Sequence, residues 1–212
     1  MEHNATQIEH RVMRYWYVDG FGELIGGGGM CLTLAVYFTL QQYFGEDTLI
    51  GSILQVSLVL VLLGGFFLVR RMIQLMKTRV TYPRTGFVEY RSGGQQKRVF
   101  VAVIAVTSAL VFSITFTLLA KKVLVLDALV LVSGMVMAFI LLVKQLFTTK
   151  VKRFYLLSVL ALIVGVLLSF SGLPRGYNLG LFYGLIGAAF SVSGGLTLRK
   201  YLQENPLEPD NG

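Results

Sequence analysis

Residues 179–198 read LGLFYGLIGAAFSVSGGLTL, and no charged side chain interrupts this stretch. A helix of this length spans roughly 30 Å, the thickness of the hydrocarbon core of a membrane. Gly180, Gly184 and Ala188 recur every four residues and therefore share one face of that helix. Small residues at this spacing let two helix backbones approach closely. The stretch predicts a membrane-spanning helix with a close helical neighbour.

Five more apolar segments of similar length precede this one. None of the six shows the apolar and polar alternation of a barrel strand, so helices are the expected spanning structure. Of the 212 residues, 55% are hydrophobic and 14% are charged, against roughly 25% charged in soluble domains. The predicted fold is an all-α membrane protein, a bundle of six transmembrane helices in a single domain of residues 1–203. The predicted spans are residues 22–43, 49–69, 99–120, 123–143, 154–172 and 179–198.

Lysine and arginine residues lie almost entirely on one side of these spans. Sixteen of the nineteen fall in the two tails, in the long loop 70–98 and in the loop after the fourth span. Because positive charge marks the cytoplasmic side, we expect a multi-pass protein of the cell (inner) membrane with both termini in the cytoplasm. This placement accounts for the net charge of +8. We therefore expect no nucleic acid as a partner.

Three shorter features flank the spans. Residues 7–17 are amphipathic and predict a short N-terminal interfacial helix. In the long loop, residues 79–83 and 87–91 are rich in Val, Thr, Tyr and Phe and flank a turn that contains Pro and Gly. This pattern predicts a small cytoplasmic β-hairpin. Residues 204–212 are acidic and polar and predict a disordered tail.

Glycine is concentrated in the first and the sixth spans. Residues 26–29 are four consecutive glycines, and the sixth span carries the small-residue face described above. The favoured interpretation is that the first span packs against the sixth. Dimerisation through the sixth span and an unwound substrate site, as found in transporters, are the alternatives. The small-residue faces are also candidates for a homo- or hetero-oligomer contact.

Glu23 is the candidate residue for an ion or proton contact, at the inner edge of the first span. Asp19 lies four residues earlier, and both carboxylates are expected on one helix face. Ion pairing with arginines of the cytoplasmic loops is the simpler interpretation, because an unpaired charge near the membrane is costly. A proton or cation site is the alternative. Asp19 and Gly20 are expected to end the N-terminal interfacial helix before the first span.

The stretch SGGQQKR, residues 92–98, resembles the Ser-Gly-Gly-Gln signature of ABC-transporter ATPases. The sequence has no Gly-x-x-x-x-Gly-Lys-Ser/Thr phosphate loop, so the match is not evidence for ATP binding. We interpret it as a helix cap ahead of the third span. The residues of the long loop that are candidates for contact with anionic lipid headgroups are Arg84, Arg91, Lys97 and Arg98.

The sequence carries no His-Glu-x-x-His, Gly-x-Ser-x-Gly or Cys-x-x-Cys motif. Both histidines lie in the N-terminal tail, and Cys31 is the single cysteine. We therefore expect no catalytic residue, cofactor or metal. The expected function is that of a non-enzymatic membrane component that associates with lipid or with another membrane protein. The alternative is a small transporter or channel that uses the Gly-rich first and sixth helices.

Three local patterns together carry a family resemblance. They are RYWYVDG at residues 14–20, YPRTGFVEYR at residues 82–91 and SGGLTLRKYL at residues 193–202. With these patterns in this order, the chain resembles an uncharacterised family of small prokaryotic polytopic integral membrane proteins. The resemblance implies a multi-pass membrane fold and implies no activity, cofactor or site residue.

Overall fold

The structure, a computed structural model, describes residues 19–45, 48–85, 128–145 and 152–206, and the regular structure in these ranges is helical. Helix α1 is Gly22–Phe44, in which Gly22–Gly29 is π-helical and Met30–Phe44 is α-helical. Helix α2, Leu49–Met76, continues into a π-helical turn, Lys77–Thr81, and a short α-helix, Tyr82–Thr85. We call residues 77–85 the extension. The remaining helices are α3, Ala128–Lys144, α4, Lys152–Ser169, and α5, Arg175–Glu204.

Three of these helices, α1, α4 and α5, are long and apolar enough to cross a membrane. Helix α3 is apolar but shorter, with 17 residues. The outward faces are also apolar: Leu60, Leu63 and Phe66 of α2 are 66–70% exposed. A surface of this kind is costly in water and is typical of contact with lipid or with a partner. The described helices therefore support association with a membrane.

The predicted spans and the observed helices agree in position. Helices α1, α4 and α5 contain most of the first, fifth and sixth predicted spans. The second predicted span lies within α2, and α3 covers the described part of the fourth. The third, residues 99–120, lies outside the described residues, as do the interfacial helix at 7–17, the second hairpin strand at 87–91 and residues 207–212 of the tail.

Helices α1 and α5 pack against each other in antiparallel fashion, through glycine on both sides. Gly180 of α5 lies against Thr39 of α1, and Gly194 lies against the start of α1. A Cβ atom added at Gly194 would lie 2.5 Å from the backbone nitrogen of Leu24. The predicted packing of the first span on the sixth is therefore confirmed, and backbone contact is the reason that small residues recur on this face.

Helices α3 and α4 form a second close antiparallel pair. A Cβ atom added at Gly134 would lie 3.0 Å from the Cα atom of Gly165, so the two backbones are in direct contact. The core lies where this pair meets α5. Its most deeply buried apolar side chains, each no more than 1% exposed, are Val130, Phe154, Ala161, Phe182 and Ile186.

Four of the helices bring one terminus to the same end of the bundle. Lys77, just after α2, pairs with Asp19, just before α1, at 2.8 Å. Arg153, in the first turn of α4, donates to Thr197, near the end of α5, at 2.6 Å. We call this the basic end, because the bases described below gather there.

Helix α3 also ends at the basic end, since Lys144 Nζ lies 4.7 Å from the centre of the Phe154 ring in the first turn of α4. Its first residue, Ala128, therefore lies at the opposite end. The chain leaves the extension at the basic end at residue 85 and enters α3 at the opposite end at residue 128.

The extended conformation predicted for residues 79–83 is wrong, because these residues are helical. The predicted loop 70–98 also starts later than expected, since helix continues to residue 85. The physical reason lies in Lys77 and Thr81, which are 3% and 2% exposed and are held by Asp19. Tertiary contacts of this kind outweigh the strand preference of Val, Thr and Tyr, which depends strongly on context.

Candidate functional site at the basic end

Asp19 occupies a buried turn immediately before α1 and is 1% exposed. Gly20 follows with a φ of +74°, a left-handed conformation that glycine adopts without steric cost. The backbone N–H of Phe21 donates to Asp19 Oδ1 at 3.3 Å. Lys77 Nζ lies 2.8 Å from Oδ2, and Thr81 Oγ1 donates to the same oxygen at 3.3 Å. The first span therefore begins after a turn at Asp19 and Gly20, and this turn is bound to the extension. The interfacial helix that this turn is predicted to end lies outside the described residues.

Glu23 lies one turn further along, in α1, and is also 1% exposed. Arg153 Nε lies 2.6 Å from its Oε1, and Ser193 Oγ donates to Oε2 at 2.8 Å. Arg153 Nη1 donates to Thr197 Oγ1, which in turn donates to the carbonyl of Ser193 at 2.8 Å. The ion pair predicted for Glu23 is present, with an arginine of the loop that follows the fourth predicted span. A role of Glu23 in binding an ion or a proton stays a prediction.

Each of the two carboxylates has a basic partner, as is expected for a buried charge. A buried ion without a partner costs several kcal/mol, so such charges are paired and hydrogen-bonded. Asp19 joins the start of α1 to the extension, whereas Glu23 joins α1 to α4 and α5. Through these contacts the two side chains hold together the elements that form the basic end.

The chemistry of this cluster is that of ion pairing. Within the described ranges, no group of three or more His, Cys, Asp or Glu side chains gathers where it could hold a metal ion. Cys31 is buried in α1, away from the two carboxylates. The carboxylates are bound by Lys77 and Arg153.

Arg84 extends from the far end of the extension to the C-terminus of α5. Its Nη1 donates to the carbonyl oxygens of Leu202, at 3.4 Å, and Asn205, at 2.9 Å. The last carbonyls of a helix have no partner within the helix and carry partial negative charge, so a cation is stabilised there. Arg84, one of the four residues predicted to contact lipid headgroups, is therefore bound to the C-terminus of α5. Arg91, Lys97 and Arg98 lie outside the described residues.

A groove of about 580 Å³ lies beside this contact. Leu198, Leu202 and Pro206 give it an apolar wall, and Arg84 and Arg199 line it as well. Arg199 is exposed to the surroundings. The groove therefore combines an apolar surface with two guanidinium groups at the rim of the bundle.

The sequence indicates Arg84 and Glu23 as candidates, but it does not indicate Lys77, Arg153 or Arg199. From the sequence, all three are predicted only to be positive charges that set the orientation of the chain. A usable signal exists for two of them, because Arg153 directly precedes the predicted span 154–172 and Arg199 directly follows the predicted span 179–198. No pattern in the sequence predicts the contacts of Ser193 and Thr197 with Glu23 and Arg153.

Comparisons of the chain with protein-family models, with curated proteins and with solved structures find no match. The family resemblance described from the sequence therefore stays a prediction. The function has to be argued from the geometry of the basic end.

Proposed function

We propose that the protein is a non-enzymatic, multi-pass component of the cell membrane that associates with anionic lipid through the groove at its basic end. The observation that carries this proposal is the composition of the groove. Arg84 and Arg199 line it together with the apolar side chains of Leu198, Leu202 and Pro206. A phospholipid presents the complementary combination of a charged phosphate and an apolar chain.

The charge and the shape of arginine suit a phosphate. A guanidinium group donates hydrogen bonds in a planar fork that matches two phosphate oxygens. Basic residues next to a membrane each contribute about 1 kcal/mol of attraction to anionic lipid. Arg84 is held in place by the C-terminus of α5, so less side-chain freedom is lost when a headgroup binds.

The outward face of α5 continues the groove into the apolar part of the helix. Leu185, Val192 and Leu196 are 51–64% exposed, and their spacing puts them on one face with Arg199. An acyl chain lying along this stripe would bring its headgroup to Arg199. This lipid position would put the basic end at headgroup depth, and the excess of lysine and arginine there predicts the cytoplasmic side.

The proposal includes six spans with both termini on the cytoplasmic side. The path of the chain supports it, because residue 85 lies at the basic end and residue 128 at the opposite end. An odd number of crossings between them is needed, as the third predicted span supplies. Helix α2, 28 residues long, is then the second span and α3 the fourth.

Transport through the Gly-rich helices is the alternative function, and the described contacts favour it less. The glycine faces of α1 and α5 lie against each other and are used for packing. Both carboxylate oxygens of Glu23 have partners, Arg153 and Ser193, which an exchanged ion would have to displace. The lipid proposal requires no such rearrangement.

The test compares two adjacent bases on α5. We would purify the full chain in detergent and add an equimolar mixture of phosphatidylglycerol and phosphatidylcholine with identical acyl chains. Native mass spectrometry then gives the ratio of the two lipid adducts. Arg199→Gln is expected to lower the preference for phosphatidylglycerol about fivefold, because one arginine contributes about 1 kcal/mol.

Lys200→Gln is the matched control, since it removes the same charge one residue away. Lys200 is 75% exposed, pairs with Glu204 and does not line the groove. We expect its lipid preference to stay close to that of the unmodified chain. Equal losses in the two variants would mean that only net charge matters, and no preference in the unmodified chain would end the proposal.

A further inference from the structure

The extension carries three side chains that face the bundle, and each is bound to another element. Lys77, Thr81 and Arg84 are four and three residues apart, so they lie along one side of this helical segment. The first two are bound to Asp19, and the third to the C-terminus of α5. The extension is therefore fixed at both of its ends.

Asp19 is the fixed point at the start of the extension. Its Oδ2 accepts from Thr81 at 3.3 Å and pairs with Lys77 at 2.8 Å, while its Oδ1 accepts from the backbone of Phe21 at 3.3 Å. All of the carboxylate is buried, as are Lys77 and Thr81. A buried carboxylate with this set of donors has one well-defined position, and so have the side chains that it binds.

Arg84 follows Thr81 by one turn of the extension. The position of its guanidinium group on the groove wall therefore depends on how Thr81 is held. Arg84 Nη1 reaches Asn205 at 2.9 Å, a contact that joins residues 121 positions apart in the chain. A change in the tilt of the extension would move Arg84 away from α5 and out of the groove.

We propose that Asp19 is a positioning residue of the lipid groove. By binding Lys77 and Thr81 it fixes the extension, and thereby holds Arg84 at the C-terminus of α5, where it faces an anionic lipid headgroup. Asp19 itself does not line the groove. The inference rests on the proposed function and adds a residue that acts on lipid selectivity only through Arg84.

Glu23, four residues after Asp19, provides a matched contrast. It is as deeply buried as Asp19 and also has a basic partner, at 2.6 Å. Its contacts go to Arg153 of α4 and Ser193 of α5, and not to the extension. Loss of either carboxylate is expected to destabilise the bundle, but only loss of Asp19 is expected to release Arg84.

The experiment measures lipid selectivity and thermal stability together, using the two-lipid mixture described above. The variants are Asp19→Asn, Glu23→Gln and Arg84→Gln, each in the full chain. Asp19→Asn is expected to lower the preference for phosphatidylglycerol severalfold, to the value found for Arg84→Gln. Glu23→Gln is expected to lower the melting temperature while the preference stays within about twofold of the unmodified chain.

The double variant of Asp19→Asn with Arg84→Gln separates positioning from general damage. If Asp19 acts through Arg84, the double variant has the same preference as Arg84→Gln alone, because the effects are not additive. Additive losses would overturn the inference. If Asp19→Asn does not fold, Thr81→Val replaces it in the experiment. This variant removes one hydrogen bond to Asp19 and is also expected to lower the preference for phosphatidylglycerol.

The inference and the proposed function fail in different ways. If Arg84→Gln and Arg199→Gln both keep the full preference, the groove is not a lipid site, and both ideas are wrong. If the arginine variants lose the preference while Asp19→Asn and Thr81→Val keep it, the lipid site stands and the positioning role is wrong. A loss in Glu23→Gln as large as that in Asp19→Asn would also overturn the positioning role.

Discussion

Single side chains at the basic end show why charge is tolerated inside this bundle. Asp19 and Glu23 are separated by one helix turn, yet each has its own basic partner from a different part of the chain. Buried charges of this kind are stable only with good geometry and further hydrogen bonds. Thr81 and Ser193 supply those bonds, so Asp19 joins the turn before α1 to the extension and Glu23 joins α1 to α5.

Glu23→Gln is predicted to destabilise the protein. Removal of one partner from a fully buried pair costs about 3–5 kcal/mol. We expect a smaller loss here, because the Arg153 side chain is 23% exposed and part of its charge is hydrated. Thermal unfolding of the purified chain in detergent, followed by circular dichroism, would measure the change.

The control for this prediction is Glu204→Gln at the end of α5. Glu204 is 61% exposed and lies 3.7 Å from Lys200, which is 75% exposed. Exposed pairs of this kind contribute about 0–1 kcal/mol, so the melting temperature should hardly change. A similar loss in both variants would show that the Glu23 pair has no special role in stability.

At the scale of elements, α1 and α5 depend on contact between backbones. The glycines along α5 are not equivalent, although the sequence does not distinguish them. Gly194 faces α1, where an added Cβ atom would lie 2.5 Å from Leu24 N and 2.9 Å from the carbonyl oxygen of Gly20. Its neighbour Gly195 has no atom within 4 Å of the corresponding position.

Gly194→Ala is therefore predicted to destabilise the α1 and α5 pair, whereas Gly195→Ala is not. The new methyl group at residue 194 meets backbone atoms that cannot move aside, and overpacking of this kind costs about 1–3 kcal/mol. At residue 195 the higher helix propensity of alanine is expected to be neutral or stabilising by about 0.5–1 kcal/mol. Thermal unfolding of the two variants, side by side, checks the prediction. Equal melting temperatures would contradict the backbone contact.

The extension shows where reasoning from local sequence fails at the scale of elements. The composition of residues 79–83 favours a strand, and Pro83 together with Gly86 favours a hairpin turn. The observed helix depends on Asp19, which binds Thr81 from 62 residues away in the chain. Local preference could not predict this outcome, since the deciding contact is between distant residues.

At the scale of the whole molecule, the sequence predicts the helices better than their contacts. A long apolar run with few or no charges has a favourable free energy in lipid wherever it lies in the chain. Segments such as 22–43, in which Glu23 at the edge is the one charged residue, and 179–198 can therefore be found one at a time. Small residues on one face also indicated the α1 and α5 contact. The pairing of Ser193 with Glu23 joins residues 170 positions apart, and no local pattern specifies it.

The positions of the helix ends make the orientation of the chain testable. In a background in which the buried Cys31 is replaced by alanine, single cysteines would be placed at Leu173 and Gln203. Leu173 is 42% exposed between α4 and α5, and Gln203 is exposed near the end of α5, at the basic end. Because α5 is long and apolar enough to cross the membrane, the two positions are expected on opposite sides. A membrane-impermeant maleimide should label Leu173→Cys on intact cells and Gln203→Cys only after lysis.

A third cysteine, Thr6→Cys, tests the number of crossings. The proposed six spans would bring both termini to the cytoplasmic side, so Thr6→Cys is expected to react only after lysis, like Gln203→Cys. Labelling of Thr6→Cys on intact cells, with Gln203→Cys protected, would mean an odd number of spans. This result would contradict the proposed six spans, which put both termini on one side of the membrane. Labelling of Leu173→Cys and Gln203→Cys from the same side would show instead that α5 does not cross, and the lipid groove would lose its place at the headgroups.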